Sequence, residues 1–392
     1  MQPTILTING GSSSFKFAFY RHGDPPSRCL FGKLEQNGME GITLTLTGEE
    51  KVRVLFPIAT GKTATEVFVD WLEKQDDFQS VQAVGHRVVH GMERSEPELV
   101  TPKLIADIQR ISSFAPQHLP VEIELIETFR KRHPKLVQVA CFDTAFHQAM
   151  PRVAKLLPIP RRFDAKGVRR YGFHGLSYAH QMEELVRLSD PAATTGRVIL
   201  CHLGNGASLA AVRDGQSMDT SMGFSPASGL MMSTRTGDLD PGIAPYLERT
   251  ESITGNEFYH MANHDSGLLG ISETSSDMRD LLKLEAGDPR AAEAVTLFCY
   301  QVKKWIGSFS AVLGGLDTLV FSGGIGENSD IVRARVCEGL GFLGVELDEE
   351  RNAKSTSTIS TEESRVTVRV IPADEELMIA RSVARLTNPA TR

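Results

Sequence analysis

Four residues in this chain of 392 carry functional groups in settings that apolar packing alone does not explain. Asp143 closes the unbroken apolar run Leu136–Phe142, the pattern of a strand covered on both faces. At the carboxyl end of such a strand, an aspartate either joins the ligand groups gathered there or caps the next helix. Arg87 is a cation inside the apolar stretch Val81–Val89, so it requires either a structural carboxylate partner or an anionic ligand. His174, in Arg169-Arg170-Tyr171-Gly172-Phe173-His174-Gly175, follows two arginines and lies between two glycines; it is either packed in a turn or placed for chemistry. Arg235 shares Met231–Asp238 with many small residues and has two carboxylates nearby. It is either a surface ion pair, worth little, or a cation kept for a ligand.

The glycine-rich turns narrow the choice. Asn9-Gly10-Gly11-Ser12-Ser13-Ser14-Phe15-Lys16 joins two strand-like runs, and converging N–H groups, hydroxyls and an ammonium suit an anion. The device recurs at His202-Leu203-Gly204-Asn205-Gly206-Ala207-Ser208, again between strands. Two such turns, one from each half of the chain, suit a polyphosphate. A third stretch, Gly323-Gly324-Ile325-Gly326-Glu327-Asn328, lies between a short strand and a helix, as a nucleotide site requires. Turns of this kind, isolated arginines and acids able to hold Mg²⁺ make an inventory for phosphoryl transfer, which is mostly positioning and charge stabilisation.

Other chemistries fail on spacing. Gly61-Lys62-Thr63 is no P-loop, because Phe56 stands where the earlier glycine belongs. Ser329 occupies the last glycine position of a dinucleotide fingerprint. Gly175-Leu176-Ser177-Tyr178-Ala179 lacks the final glycine of a nucleophile elbow. His86 and His90 are four apart on a strand, where they do not converge on zinc.

The elements that must position these groups alternate strand and helix, so the fold class is α/β. Phe15, Phe17 and Phe19 alternate as on a strand, and Cys29–Leu34 and Ile42–Leu46 read as further strands. Thr63-Ala64-Thr65-Glu66 is a capping box. Helices are expected near Lys103–Phe114 and Val121–Lys131, and a long one over Ala291–Leu313, whose Val295, Phe298, Val302, Trp305, Phe309 and Val312 form a seam. The seam reads as a buried domain helix or as a subunit interface. The proline-rich stretch Pro151–Pro160 reads as a crossing between domains.

Composition sets the outer bounds. The length favours two domains. Hydrophobic residues at 41% and charged residues at 23% are those of a globular protein. The excess of 49 acidic over 42 basic residues gives a net charge of −7, which speaks against a nucleic-acid or membrane surface. Five scattered cysteines without metal spacing fit a reducing cytoplasm. The chain enters a strand almost at once, so no signal peptide is expected, and no apolar run reaches the length of a membrane span.

The ordered series Asn9–Lys16, Gly85–Gly91, Phe142–His147, Arg170–Gly175, His202–Ser208, Asp219–Phe224, Gly229–Asp238, Ser275–Asp280, Gly323–Asn328 and Glu375–Ala380 resembles the acetate/propionate kinase family over nearly the whole chain. The resemblance implies two ribonuclease-H-like domains of the actin, sugar-kinase and Hsp70 type, each on a five-stranded sheet, with nucleotide in the cleft between them. It implies a first domain of residues 1–148 plus a returning helix at 376–392, and a second of 149–375 that binds nucleotide and forms a homodimer. The implied reaction is direct in-line transfer of the ATP γ-phosphoryl group to acetate, giving acetyl phosphate and ADP, or to propionate or another short carboxylate.

By position, the resemblance makes Arg87 the ligand of the substrate carboxylate and Asp143 the essential acid. His174 and Arg235 stabilise the transferring phosphoryl group. Asn9 and Glu375 help hold Mg²⁺, or Mn²⁺ in its place, with Lys16 near the phosphates. His202, Leu203, Gly204, Asn205 and Gly206, then Asp277, Met278 and Arg279, and Gly324, Ile325, Gly326, Glu327 and Asn328 hold the nucleotide. Departures from the family pattern cluster near the acyl group. Gln117 replaces a usual leucine, Leu119 an asparagine and Met92 a glycine, while Leu176 and Tyr178 replace threonine and histidine. A reading of another class, a nucleotide-driven binding or chaperone module, would need a peptide-binding domain after the closing helix.

Overall fold

The computed structural model describes residues 3–11, 14–23, 25–36, 41–47, 52–56 and 62–388. Ser12 and Ser13 of the first turn, and Gly61, lie outside the described residues. The chain forms two compact units, residues 1–145 with 374–392, and residues 146–373.

The first unit carries β1 (Thr4–Gly10), β2 (Ser14–Arg21), β3 (Ser27–Gln36), β4 (Ile42–Thr47), β5 (Val52–Phe56), β6 (Val81–Val88), β7 (Glu98–Leu99) and β8 (Val137–Phe142). They form one sheet in the order β5-β4-β3-β2-β1-β6-β8-β7. β1 runs parallel to β6, and β6 to β8. The central β3-β2-β1-β6-β8 is the ribonuclease-H-like core, but the sheet has eight strands instead of the expected five. Two of the additional strands exist because β4 and β5 continue the alternation of β3, sending Leu34, Leu44, Leu46 and Val54 into one core with Phe15, Phe17 and Phe19. Helix Ala64–Leu72 closes that core, with Phe68 stacked on Phe15 at 5.5 Å. Its capping box at Thr63 is present as expected.

On the opposite face lies helix Glu375–Thr387. The contact demands glycine: a Cβ on Gly85 of β6 would come 2.3 Å from Ile379 Cγ2 and 2.7 Å from Val383 Cγ2.

The second unit carries β9 (Arg197–Leu203), β10 (Ala207–Arg213), β11 (Gln216–Thr220), β12 (Thr318–Ser322) and β13 (Thr367–Val370). Their order, β11-β10-β9-β12-β13, repeats the first unit's core, with β9, β12 and β13 parallel. Asp214 and Gly215 turn the β10–β11 hairpin with φ of 51° and 76°, as a tight Asp-Gly turn requires. The long helix spans Pro289–Leu313 and turns Val295, Phe298, Val302 and Phe309 into its own unit. Val312 is half exposed and drops out of the seam. Pro151–Pro160 is not a crossing between domains. It lies inside the second unit, where Arg170 N–H donates to the Lys155 carbonyl at 2.8 Å and Lys155 Nζ to that of Gln148 at 2.7 Å. Among the described residues no helix is long and apolar enough to cross a membrane.

Candidate active site

In the first unit the functional groups collect where the parallel strands end, as open α/β sheets arrange them. Asp143 follows β8 directly, its N–H bonded to the Val88 carbonyl at 2.9 Å, and is fully buried. One strand away, Arg87 donates from Nη2 to Asp143 Oδ2 at 2.8 Å and from Nη1 to the Gly10 carbonyl at 3.2 Å. The cation inside an apolar strand therefore has its carboxylate, and that carboxylate is the other candidate. Burial opposes the Arg87 charge, but Asp143, Glu375 and Glu122 together hold its pKa above the usual value.

At the end of β1, Asn9 Nδ2 donates to Glu375 Oε2 at 2.6 Å and to Glu376 Oε1 at 3.2 Å. Both glutamates stand in the first turn of helix Glu375–Thr387, whose N-cap is Asp374. Burial raises the Glu376 pKa, with Lys16 pulling the other way. Lys16 faces Asn9 across the β1–β2 ladder. Among the described residues no three His, Cys, Asp or Glu side chains form a metal cage. Two carboxylates sharing one amide instead suit a hard cation that keeps most of its waters and phosphate ligands, as Mg²⁺ does.

In the second unit His174 is the N-cap of helix Gly175–Arg187 and sits at φ 58°, ψ 25°, a left-handed conformation uncommon outside glycine. Its Nδ1 is bonded to Ser208 Oγ at 2.8 Å, which lies 2.5 Å from the Tyr178 hydroxyl. The His174 ring stacks on His202 at 4.2 Å. His202 Nδ1 in turn meets Ser177 Oγ at 2.8 Å. Gly206 lies close between the two candidate phosphoryl ligands: a Cβ there would be 3.3 Å from His174 Nε2 and 3.5 Å from Arg235 Nη1. Arg235 is anchored by Nη1 on the Pro226 carbonyl at 3.0 Å. His174, Arg235 and the His202–Gly206 turn therefore form one group.

The β9–β12 register sets His202 beside Ser322, which brings Gly324 to the same turn; a Cβ on Gly204 would be 3.8 Å from Gly324 N. The glycine stretch is not a loop ahead of a helix. Gly323–Asn328 is itself a short helix. Asp277 caps helix Met278–Leu284 and pairs with the exposed Arg279 at 2.5 Å, so these two bond to each other.

The chain matches the acetokinase family model over residues 4–381. It belongs to the acetokinase family.

Its relatives within that family carry two names. It is 42% identical to an acetate kinase of Rhodopseudomonas palustris, over 99% of both chains. It is also 42% identical to a propionate kinase of Citrobacter rodentium, over 98% of this chain and 97% of the relative. Among solved structures, a propionate kinase from Francisella tularensis superposes with a TM-score of 0.90 at 36% identity, over 97% of this chain and 99% of that one. The acetate kinase of Porphyromonas gingivalis gives 0.88 at 36% identity, over 98% and 100%. The acetokinase-family fold, two ribonuclease-H-like domains, is thereby established, and the chain is a phosphotransferase acting on a carboxylate. None of these relatives supports a chaperone-type module.

Within this acetokinase-family site, sequence reasoning missed Glu122, Glu376 and Arg333. Arg333 is fully buried and holds the carbonyls of Gly326 and Glu327 at 2.8 and 3.0 Å, and Asn352 through Oδ1 and its carbonyl. It fixes the end of the Gly323–Asn328 helix. Its signal was a cation three residues from an apolar core position, which also describes any exposed helical arginine. Of the departures, Leu119 is fully buried and Gln117 is half-buried. Met92 takes φ 56° where the family resemblance has glycine.

Proposed function

We propose that this protein transfers the γ-phosphoryl group of ATP reversibly to acetate. A carboxylate oxygen bonds to the γ-phosphorus as the bond to the β–γ bridging oxygen breaks, and ADP leaves with that electron pair. The observation that carries the reading is the buried Arg87–Asp143 pair, a cation and an acid set side by side at parallel strand ends. Arg87 binds the acceptor carboxylate. Asp143 orients the acceptor or exchanges its proton. His174 and Arg235 meet the charge spread over the phosphoryl oxygens, where positioned donors count most.

The His202–Gly206 turn, Asp277–Arg279 and Gly324–Asn328 hold the nucleotide, and Lys16 lies near its phosphates. Asn9 and Glu375 would hold Mg²⁺, with Mn²⁺ as a substitute; the ion would supply positive charge against the phosphates. The protein works as a homodimer through its second unit, in the cytoplasm, where thiols such as the buried Cys141, Cys201, Cys299 and Cys337 stay free.

Propionate is the second reading, favoured by the equally similar propionate kinases and by the altered residues Gln117, Leu119 and Met92. Trapping the acyl phosphate with hydroxylamine and comparing kcat/KM for acetate, propionate, butyrate and a 2-hydroxy acid decides between them. A preference for another acid by more than about tenfold, ~1.4 kcal/mol, overturns the acetate assignment.

A further inference from the structure

Glu122 has no part in the reaction as read above, yet its side chain stands inside the acceptor site. It belongs to the first turn of helix Leu119–Arg132 and is 2% exposed. Its Oε2 accepts the Val89 N–H at 2.9 Å. Its Oε1 has no hydrogen-bond partner among the described residues and lies 3.8 Å from Arg87 Nη1. The charged groups around it are Arg87 from β6 and Asp143 from the end of β8, while Glu375 from the last helix acts on the same guanidinium.

One cation thus already faces several carboxyl groups before a substrate arrives. Arg87 has given Nη2 to Asp143 and Nη1 to Gly10, and its buried Nε has no hydrogen-bond partner among the described residues. With Glu122 ionised, a substrate carboxylate would join Glu122 and Asp143 around a single guanidinium in a dehydrated site, where like charges repel strongly. With Glu122 neutral, the incoming carboxylate takes the place of its charge.

We propose that Glu122 is a positioning residue of the acceptor site, which must carry a proton for Arg87 to bind the substrate carboxylate and whose ionisation expels that carboxylate. The carboxyl that gives up its charge is Glu122: Asp143 takes the 2.8 Å bond from Nη2, while Glu122 stands 3.8 Å from Nη1, beyond hydrogen-bond reach. Burial favours the same state: it pushes the Glu122 carboxyl up to about 8, against the pull of Arg87 and the Val89 N–H. The inference rests on Arg87 as the ligand of the acceptor carboxylate.

The test is the KM for acetate from pH 7 to 9, a range in which acetate itself stays ionised. Wild-type KM is expected to rise about tenfold, because the protonated fraction falls from roughly nine-tenths to one-tenth. In Glu122→Gln, whatever its KM at pH 7, the change by pH 9 is expected to stay within about twofold. The nucleotide KM, measured on the same samples, should not follow this profile. Calorimetry of acetate binding to wild-type protein at pH 8, in buffers of different ionisation heat, should show uptake of about half a proton; this arm stands even where the glutamine variant fails to fold.

A flat wild-type profile, an unchanged rise in Glu122→Gln, or binding without proton uptake overturns the inference. Arg87→Lys separates it from its premise. If that variant leaves the acetate KM unchanged, the Arg87 assignment falls. If it raises KM while the wild-type profile is flat, only the role of Glu122 falls.

Discussion

Arg235 and Arg87 are both arginines placed among small or apolar residues, but their surroundings assign them different work. Arg87 is engaged by Asp143 and by the Gly10 carbonyl, so its charge is committed before any ligand binds. Arg235 is anchored through Nη1 on the Pro226 carbonyl and the Met232 sulfur, with the same nitrogen beside Gly206. On the proposed assignment Arg235 acts when charge develops on the transferring phosphoryl group. Arg235→Ala should therefore lower kcat about 100- to 1,000-fold with the KM for ATP little changed; steady-state kinetics with a raised KM and an intact kcat would refute it. At this scale the sequence was informative wherever a residue violated its surroundings. Arg87 in an apolar strand and Asp143 at a strand end announced themselves. Glu122 did not, because a glutamate in the first turn of a helix is what the helix dipole favours on any surface, and nothing in its spacing tells that the turn is buried.

Elements were legible by periodicity and by caps, less so where glycine ruled. The alternation of β2, the capping box at Thr63 and the Asp214-Gly215 hairpin all lie where the chain pattern puts them. The eight-stranded sheet did not, since β7 is only two residues long, too short for alternation to mark. The Gly323–Asn328 stretch reads as a glycine turn between a strand and a helix, yet it is itself helical although glycine disfavours helix. Its helix is imposed from outside, by Arg333 at one end and by the close pass of β9 at the other. Gly323 has φ 74°, and a Cβ on it would lie 2.7 Å from the Leu203 carbonyl oxygen. Gly323→Ala should accordingly destabilise the protein by about 2 kcal/mol or more, and displace the His202–Gly206 turn enough to raise the KM for ATP. Thermal unfolding and nucleotide titration of the variant check both effects, and an unaltered melting temperature would show the strand end to be yielding.

For the molecule as a whole, two buried groups set opposed pH dependences. His86, bonded to Gln138 and fully enclosed, is pushed down by burial to about 4 from the ordinary 6.5. Between those values the unfolded chain binds the proton and the native one does not, so stability rises with pH. Glu122 is pushed up to about 8 from 4.5. Over that window the native state holds the proton and the unfolded chain does not, so stability falls with pH. Each slope is at most about 1.4 kcal/mol per pH unit. The two oppose each other from pH 4.5 to 6.5, and the Glu122 slope continues from there to 8. The stability of Glu122→Gln relative to wild type should therefore grow steadily from pH 4.5 to 8. Denaturant unfolding of both proteins across that range checks it, and a constant difference would rule the effect out.

The helix Glu375–Thr387 lies on β6 through Gly85, yet between them the chain makes the whole of residues 146–373. During synthesis the strands that bear Arg87 and Asp143 leave the ribosome with the bare groove over Gly85 still facing water. They must wait for an entire second folding unit before their cover is made. The second unit has no such debt, being continuous in sequence. Translation therefore imposes an order in which the second unit can be complete while the first is still open. A ribosome that stalls between Ala373 and Thr387 would release a finished second domain tethered to a first one with an exposed apolar seam, the form most exposed to proteases and chaperones.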